Sequence, residues 1–141
     1  MPGAWPAGTI VISDAKRELF LSLGGGKAIE YPVAVPKWDK KWFGETRIVG
    51  KYVRPDWSPP ASVKVDHPEL PEVIPGGSPH NPMGARAMML AKSEIAIHGT
   101  NAWMRKSVGT AASYGCIRMR NEDVTDLFAR VSVGTPVVMV R

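Results

Sequence analysis

The chain has 141 residues, 44% of them apolar and 22% charged, a composition that supports one packed domain over residues 1–141 and excludes a disordered chain. Its formal charge of +5 favours anionic partners. No Lys/Arg run exceeds two residues and no basic stretch is interleaved with aromatics, so a nucleic-acid partner is not expected.

Thr9 to Ile12 and Glu18 to Leu23 read as strands with Ser13-Asp14-Ala15-Lys16 as their turn, and Gly24-Gly25-Gly26 turns the chain into a third strand from Ala28 to Val35. From Pro36 to Pro82 the character changes. Trp38, Trp42 and Trp57 sit among prolines that block helices, and so long an irregular stretch reads as a cover over a site. In that reading Trp38, Trp42, Phe43 and Trp57 form a lid, with Lys40, Lys41, Lys51 and Arg54 steering an acidic ligand; the tryptophans read equally well as core. Ala87 to Leu90 and Glu94 to Ile97 are short strands, the second delivering His98 at its end. A helix follows Asn121, which suits an N-cap, with Glu122 and Asp123 at its positive end and Val124, Leu127, Phe128 and Val131 along one face. Gly134 breaks it, and Pro136 to Val140 closes the chain as a strand. The expectation is a mainly β fold of short mixed strands, with one helix after the cysteine segment.

The chain carries one cysteine, so no intrachain disulfide can form, and Cys116 with the scattered His67, His80 and His98 matches no zinc pattern. No metal, no cofactor and a monomer are expected. No stretch is long and apolar enough to span a membrane as a helix. The first residues lack the positive leader and apolar core of a signal peptide. That leaves a cytoplasmic chain or one whose export segment precedes Met1.

The chemistry concentrates between Ile95 and Val124. A histidine ends a strand, a polar loop follows, and Ser113-Tyr114-Gly115-Cys116-Ile117-Arg118 precedes the helix. A thiol is largely protonated at neutral pH, and a neighbouring imidazole can take its proton and hold the thiolate as an ion pair. Gly115 allows close backbone approach, and the N–H groups of Gly115 and Cys116 would serve an oxyanion. Spacing alone leaves this pairing open. A lone cysteine is also an ordinary buried hydrophobe, and a histidine at a strand end an ordinary structural residue.

The same stretch resembles the active-site motif of the YkuD-type L,D-transpeptidases. Their His-Gly-Thr segment is matched by His98-Gly99-Thr100, and their Ser-x-Gly-Cys-Ile-Arg-Met by Ser113 to Met119. Asn121-Glu122-Asp123, Gly134 to Val138, Tyr31 to Val35, Pro55 to Pro60 and Gly76-Gly77 through Asn81-Pro82-Met83-Gly84 resemble further family elements, so the similarity runs from about Gly8 to Val140. The resemblance implies a β-sandwich or barrel fold and a peptidoglycan L,D-transpeptidase. Cys116 would be acylated by a stem tetrapeptide with loss of D-alanine, His98 would be base and then acid, and the Gly99 carbonyl would orient the ring. An amine on a second stem, or on an anchored envelope protein, would resolve the thioester. Water or a free D-amino acid would do so in a carboxypeptidase or exchange enzyme, and a non-catalytic wall-binding module is the reading from another class. Arg118 suits a substrate carboxylate, and Ser113, Tyr114, Asn101 and Trp103 are candidate substrate-binding residues. The family also implies a cell-envelope or periplasmic location. Two positions depart from the pattern: Tyr114 stands where many members carry histidine, and Pro36 where they often carry glycine.

Overall fold

Ile10–Ser13 (β1) and Glu18–Gly24 (β2) form the antiparallel pair expected from their apolar content, in a computed structural model that describes residues 5–141. Lys27–Pro32 (β3) pairs antiparallel with β2. The strand expected as far as Val35 breaks there. Val35–Pro36 (β4) leaves this sheet and pairs in parallel with Ala111–Ser113 (β8).

The segment read from sequence as irregular holds the longest strand, Gly44–Val53 (β5). It lies between Pro136–Val140 (β10) and Arg86–Leu90 (β6), antiparallel to both. A one-turn helix, Ala61–Asp66 (α1), follows Pro60, although prolines were expected to keep helices out; a proline at a helix start costs nothing, because that N–H has no intrahelical acceptor. Ala96–His98 (β7) pairs with β6, and Ile117–Arg118 (β9) adds to β7 in parallel. The full order is β3-β2-β1-β10-β5-β6-β7-β9. A bridge between Ala34 and Arg118 joins this mixed sheet to the β4/β8 pair.

The curl of the sheet encloses the core. Ile10, Ile12, Leu19, Leu21, Ile48, Met88, Ile97, Ile117 and Met139 meet Val124, Leu127 and Val131 across it. The last three lie on or just beyond Asn121–Arg130 (α2), at the spacing expected of its buried face. Arg120, not Asn121, occupies the N-cap, and the Asn121 side chain is used elsewhere. Lys51 reaches from β5 to donate to the carbonyls of Phe128 and Val131, each at 2.7 Å, satisfying the end of α2. That contact gives Lys51 a structural task at the end of α2.

Candidate active site

Strand periodicity sorts β6, β7 and β9 into two faces. Met88, Ile97 and Ile117 point into the core, whereas Ala87, Met89, Ala96 and Cys116 gather in a second apolar cluster on the other face with Met83 and Trp57. The parallel register places His98 beside Arg118, so Cys116, one step before β9, stands diagonally from His98 on that second face. His98, Cys116 and Arg118 all line one cavity of about 720 Å³. Ser113, Tyr114, Met104, Pro82 and Glu94 contribute to its wall, and residues Pro55 to Pro60 with Val63 of α1 roof it.

His98 is buried. Its Nδ1 lies 2.6 Å from the carbonyl oxygen of Gly99, and since a carbonyl can only accept, Nδ1 carries the proton and Nε2 is the bare nitrogen of the neutral ring. Burial draws its pKa down to about 4, the charge of Arg118 adds to this, and the carbonyls of Gly99 and Pro82 act the other way. At neutral pH the ring is therefore uncharged, with two carbonyls placed to steady an imidazolium once a proton arrives.

Cys116 is half-buried, and its thiol lies 3.6 Å from the carbonyl of Glu94. Burial pushes the thiol pKa up, opposed by the Ala96 N–H and by Arg118. Both directions favour thiol and neutral imidazole at rest over a standing thiolate–imidazolium pair. Alkylation of Cys116 by iodoacetamide is expected to climb continuously from about pH 6 past about pH 9, following the growing thiolate fraction of a raised thiol. A rate that levels off across neutral pH would reveal a standing ion pair and sink this assignment.

The loop before Cys116 is fixed by its own hydrogen bonds. Ser113 Oγ donates to the Cys116 carbonyl and accepts from the Gly115 N–H at 3.2 Å. Of the two N–H groups expected to face an oxyanion, that of Gly115 is therefore already engaged. Gly115 sits at φ 132°, a backbone conformation that favours glycine, and a Cβ there would also press on the Ile95 side-chain tip at 2.4 Å and make it shift. Ser113 is buried and serves the loop, although it also borders the cavity.

Arg118 donates to Ser107 Oγ at 3.1 Å, and among the described residues no carboxylate pairs with it. Burial lowers its pKa from a very high ordinary value, so it remains a cation facing the cavity. The Tyr114 hydroxyl donates to Asp66 at the end of α1, and the ammonium of Lys37 lies 4.4 Å from the Tyr114 ring. Tyr114 thus ties the roof to the cysteine loop, a contact that motif spacing could not reveal.

Asn101 and Trp103 do not line this cavity. Asn101 Oδ1 accepts from Met104 N at 2.8 Å to start a 3₁₀ turn over Met104–Ser107 and borders a smaller, separate cavity, while Trp103 stands exposed. The expected tryptophan lid also divides. Trp57 lines the cavity, Trp38 is 85% exposed, and Trp42 packs against the main core. Of the other cations expected to steer a ligand, Lys41 pairs with Asp14 at 2.7 Å, Lys40 lies over the Tyr114 ring, and Arg54 borders the smaller cavity. Among the described residues no group of His, Cys, Asp and Glu is placed to hold a metal, and no helix is long and apolar enough to cross a membrane.

A family model described as the L,D-transpeptidase catalytic domain, YkuD, matches residues 7–139. The chain is 33% identical over 99% of its length to a probable L,D-transpeptidase, YbiS, of Escherichia coli K12, covering 46% of that protein. It is 45% identical over 94% of its length to a putative L,D-transpeptidase, YkuD, of Bacillus subtilis, covering 65% of that protein. The chain therefore spans about half the length of the first of these relatives. The fold matches that of L,D-transpeptidase 3 from Mycobacterium tuberculosis with a TM-score of 0.72 at 16% identity, over 94% of this chain and 60% of that one.

Proposed function

The chain belongs to the YkuD family of L,D-transpeptidase catalytic domains, and from that premise we propose that it is a cysteine acyltransferase acting on peptidoglycan stem peptides in the cell envelope. The observation that carries this reading is the Nδ1 bond of His98 to the Gly99 carbonyl, which leaves a proton-accepting Nε2 in the cavity that Cys116 also lines. For the reaction the thiol gives up its contact with the Glu94 carbonyl for His98. The sulfur then attacks the carbonyl joining the L-centre of the third stem residue to D-alanine, and the thiol proton passes to Nε2. Collapse of the tetrahedral intermediate breaks the C–N bond, His98 returns the proton to the leaving amine, and a thioester remains on Cys116. The Cys116 N–H is the oxyanion donor, and Arg118 receives a carboxylate of the stem.

An amine from a second stem or an anchored protein resolves the thioester; with water instead, the product is the hydrolysed tripeptide. Incubation with disaccharide-tetrapeptide muropeptides, read by mass spectrometry, tests the reading. Loss of D-alanine with cross-linked dimers is the expected result. Loss without dimers identifies water or a free amino acid as the acceptor. Binding of the muropeptide with no loss of D-alanine would leave a wall-binding module and overturn the assignment as an enzyme.

A further inference from the structure

The Cys116 N–H stands out in the loop that carries the nucleophile. The Gly115 N–H goes to Ser113 Oγ, the Cys116 carbonyl receives the Ser113 hydroxyl, and the Gly115 carbonyl receives the indole N–H of Trp42 at 2.7 Å. Among the described residues no protein acceptor takes the Cys116 N–H. The Gly115 carbonyl and the Cys116 N–H belong to one peptide unit, and in a trans peptide the two dipoles point in opposite directions within one plane. Whatever fixes the carbonyl fixes the N–H.

Trp42 is well placed to do so. It arrives from the segment between β4 and β5, 73 residues from Gly115, and its half-buried ring packs against the main core, with the ammonium of Lys92 5.4 Å from the ring centroid. Gly115, by contrast, occupies a backbone region that places no side chain to hold the peptide. The orientation of this plane is thus set from outside the loop. Donation to the carbonyl also polarises the amide, so the same contact strengthens the N–H as a donor.

We infer that Trp42 is a positioning residue for acylation: its indole N–H orients and polarises the Gly115–Cys116 peptide so that the Cys116 N–H meets the oxyanion of the tetrahedral intermediate. This rests on the acyl transfer proposed above. Trp42 touches neither the substrate nor the sulfur in this account.

Two reactions of the same thiol separate this role from general support of the fold. Acylation by a tetrapeptide stem builds negative charge on a carbonyl oxygen, whereas alkylation by iodoacetamide displaces iodide at carbon and forms no oxyanion. In the intact chain, Trp42→Phe is expected to lower kcat for D-alanine release about ten- to a hundredfold, with KM changed less than about threefold and the alkylation rate less than about twofold. The benzothiophene isostere of tryptophan, installed at position 42 alone, keeps the bicyclic ring, removes only the N–H, and should give the same split. Unchanged release in both variants overturns the inference. So does a parallel fall in release and alkylation, which would mean that the indole supports the fold or the thiol generally. Alkylation of the wild-type chain without any release of D-alanine would remove the proposed acyl transfer itself, and this inference with it.

Discussion

Cys116→Ala is expected to abolish release of D-alanine from a tetrapeptide stem, by at least about 10⁴-fold, while leaving stem binding and the melting temperature close to those of the wild type. The size follows from the chemistry: the alanine variant has no atom to form the thioester, and an oxyanion donor without a nucleophile retains only a residual rate. The small structural effect follows from the packing, because Cys116 is half-buried at the edge of the smaller apolar cluster and its hydrogen bond to the Glu94 carbonyl is long, at 3.6 Å. His98→Ala should fall less far, by about 10²–10⁴-fold, since it removes the proton carrier and leaves the sulfur in place. Intact-mass analysis during turnover checks both: an acyl adduct on the wild type, none on Cys116→Ala, and slow accumulation on His98→Ala. D-alanine release that survived in Cys116→Ala would put the nucleophile elsewhere and sink the assignment.

The parts of the molecule legible in the sequence are those whose signal is local. The strands β1, β2, β6 and β10 and the helix α2 announce themselves through apolar spacing, and His98 and Cys116 through a motif surrounded by matching elements. The central strand β5 leaves little trace in the sequence because most of its side chains are exposed or half-buried, with Ile48 and Gly50 its buried positions and a register shift between them. It is a strand because β10 and β6 flank it, a non-local cause. The helix α1 buries no residue and so carries no periodic stripe. The two-residue strands β4 and β9 are shorter than any period and exist only through their partners. In the site, Trp42 and Gly115 meet across 73 residues. A tryptophan among prolines suggested a lid, and its actual task depends on a carbonyl that no spacing rule locates.

Asn121 is the sharpest case, since its sequence context suggested a helix cap and its structure shows a clamp. Its Oδ1 accepts from the N–H groups of Ala85 and Thr100 at 3.0 and 3.1 Å, and its Nδ2 donates to the Thr100 carbonyl at 2.8 Å. Two glycines make room for it. A Cβ on Gly84 or Gly99 would lie 2.3 or 2.2 Å from that Oδ1. The clamp thus fixes Gly99-Thr100, the segment whose Gly99 carbonyl sets the tautomer of His98. Asn121→Ala strands two N–H groups and a carbonyl in a half-buried setting. At about 1–3 kcal/mol for each group water cannot reach, the expected loss is about 3 kcal/mol, a fall of about 10 °C in melting temperature. D-alanine release measured well below that melting point should drop about tenfold through kcat, because an imidazole free to flip spends less time with Nε2 bare toward the thiol. Asn121→Asp retains the acceptor for both N–H groups while placing a carboxylate oxygen against the Thr100 carbonyl, so its melting temperature should fall between the other two. An Asn121→Ala variant that melted with the wild type would show the His98 loop to be held without this side chain, and would return Asn121 to the modest role its place beside the helix start first suggested.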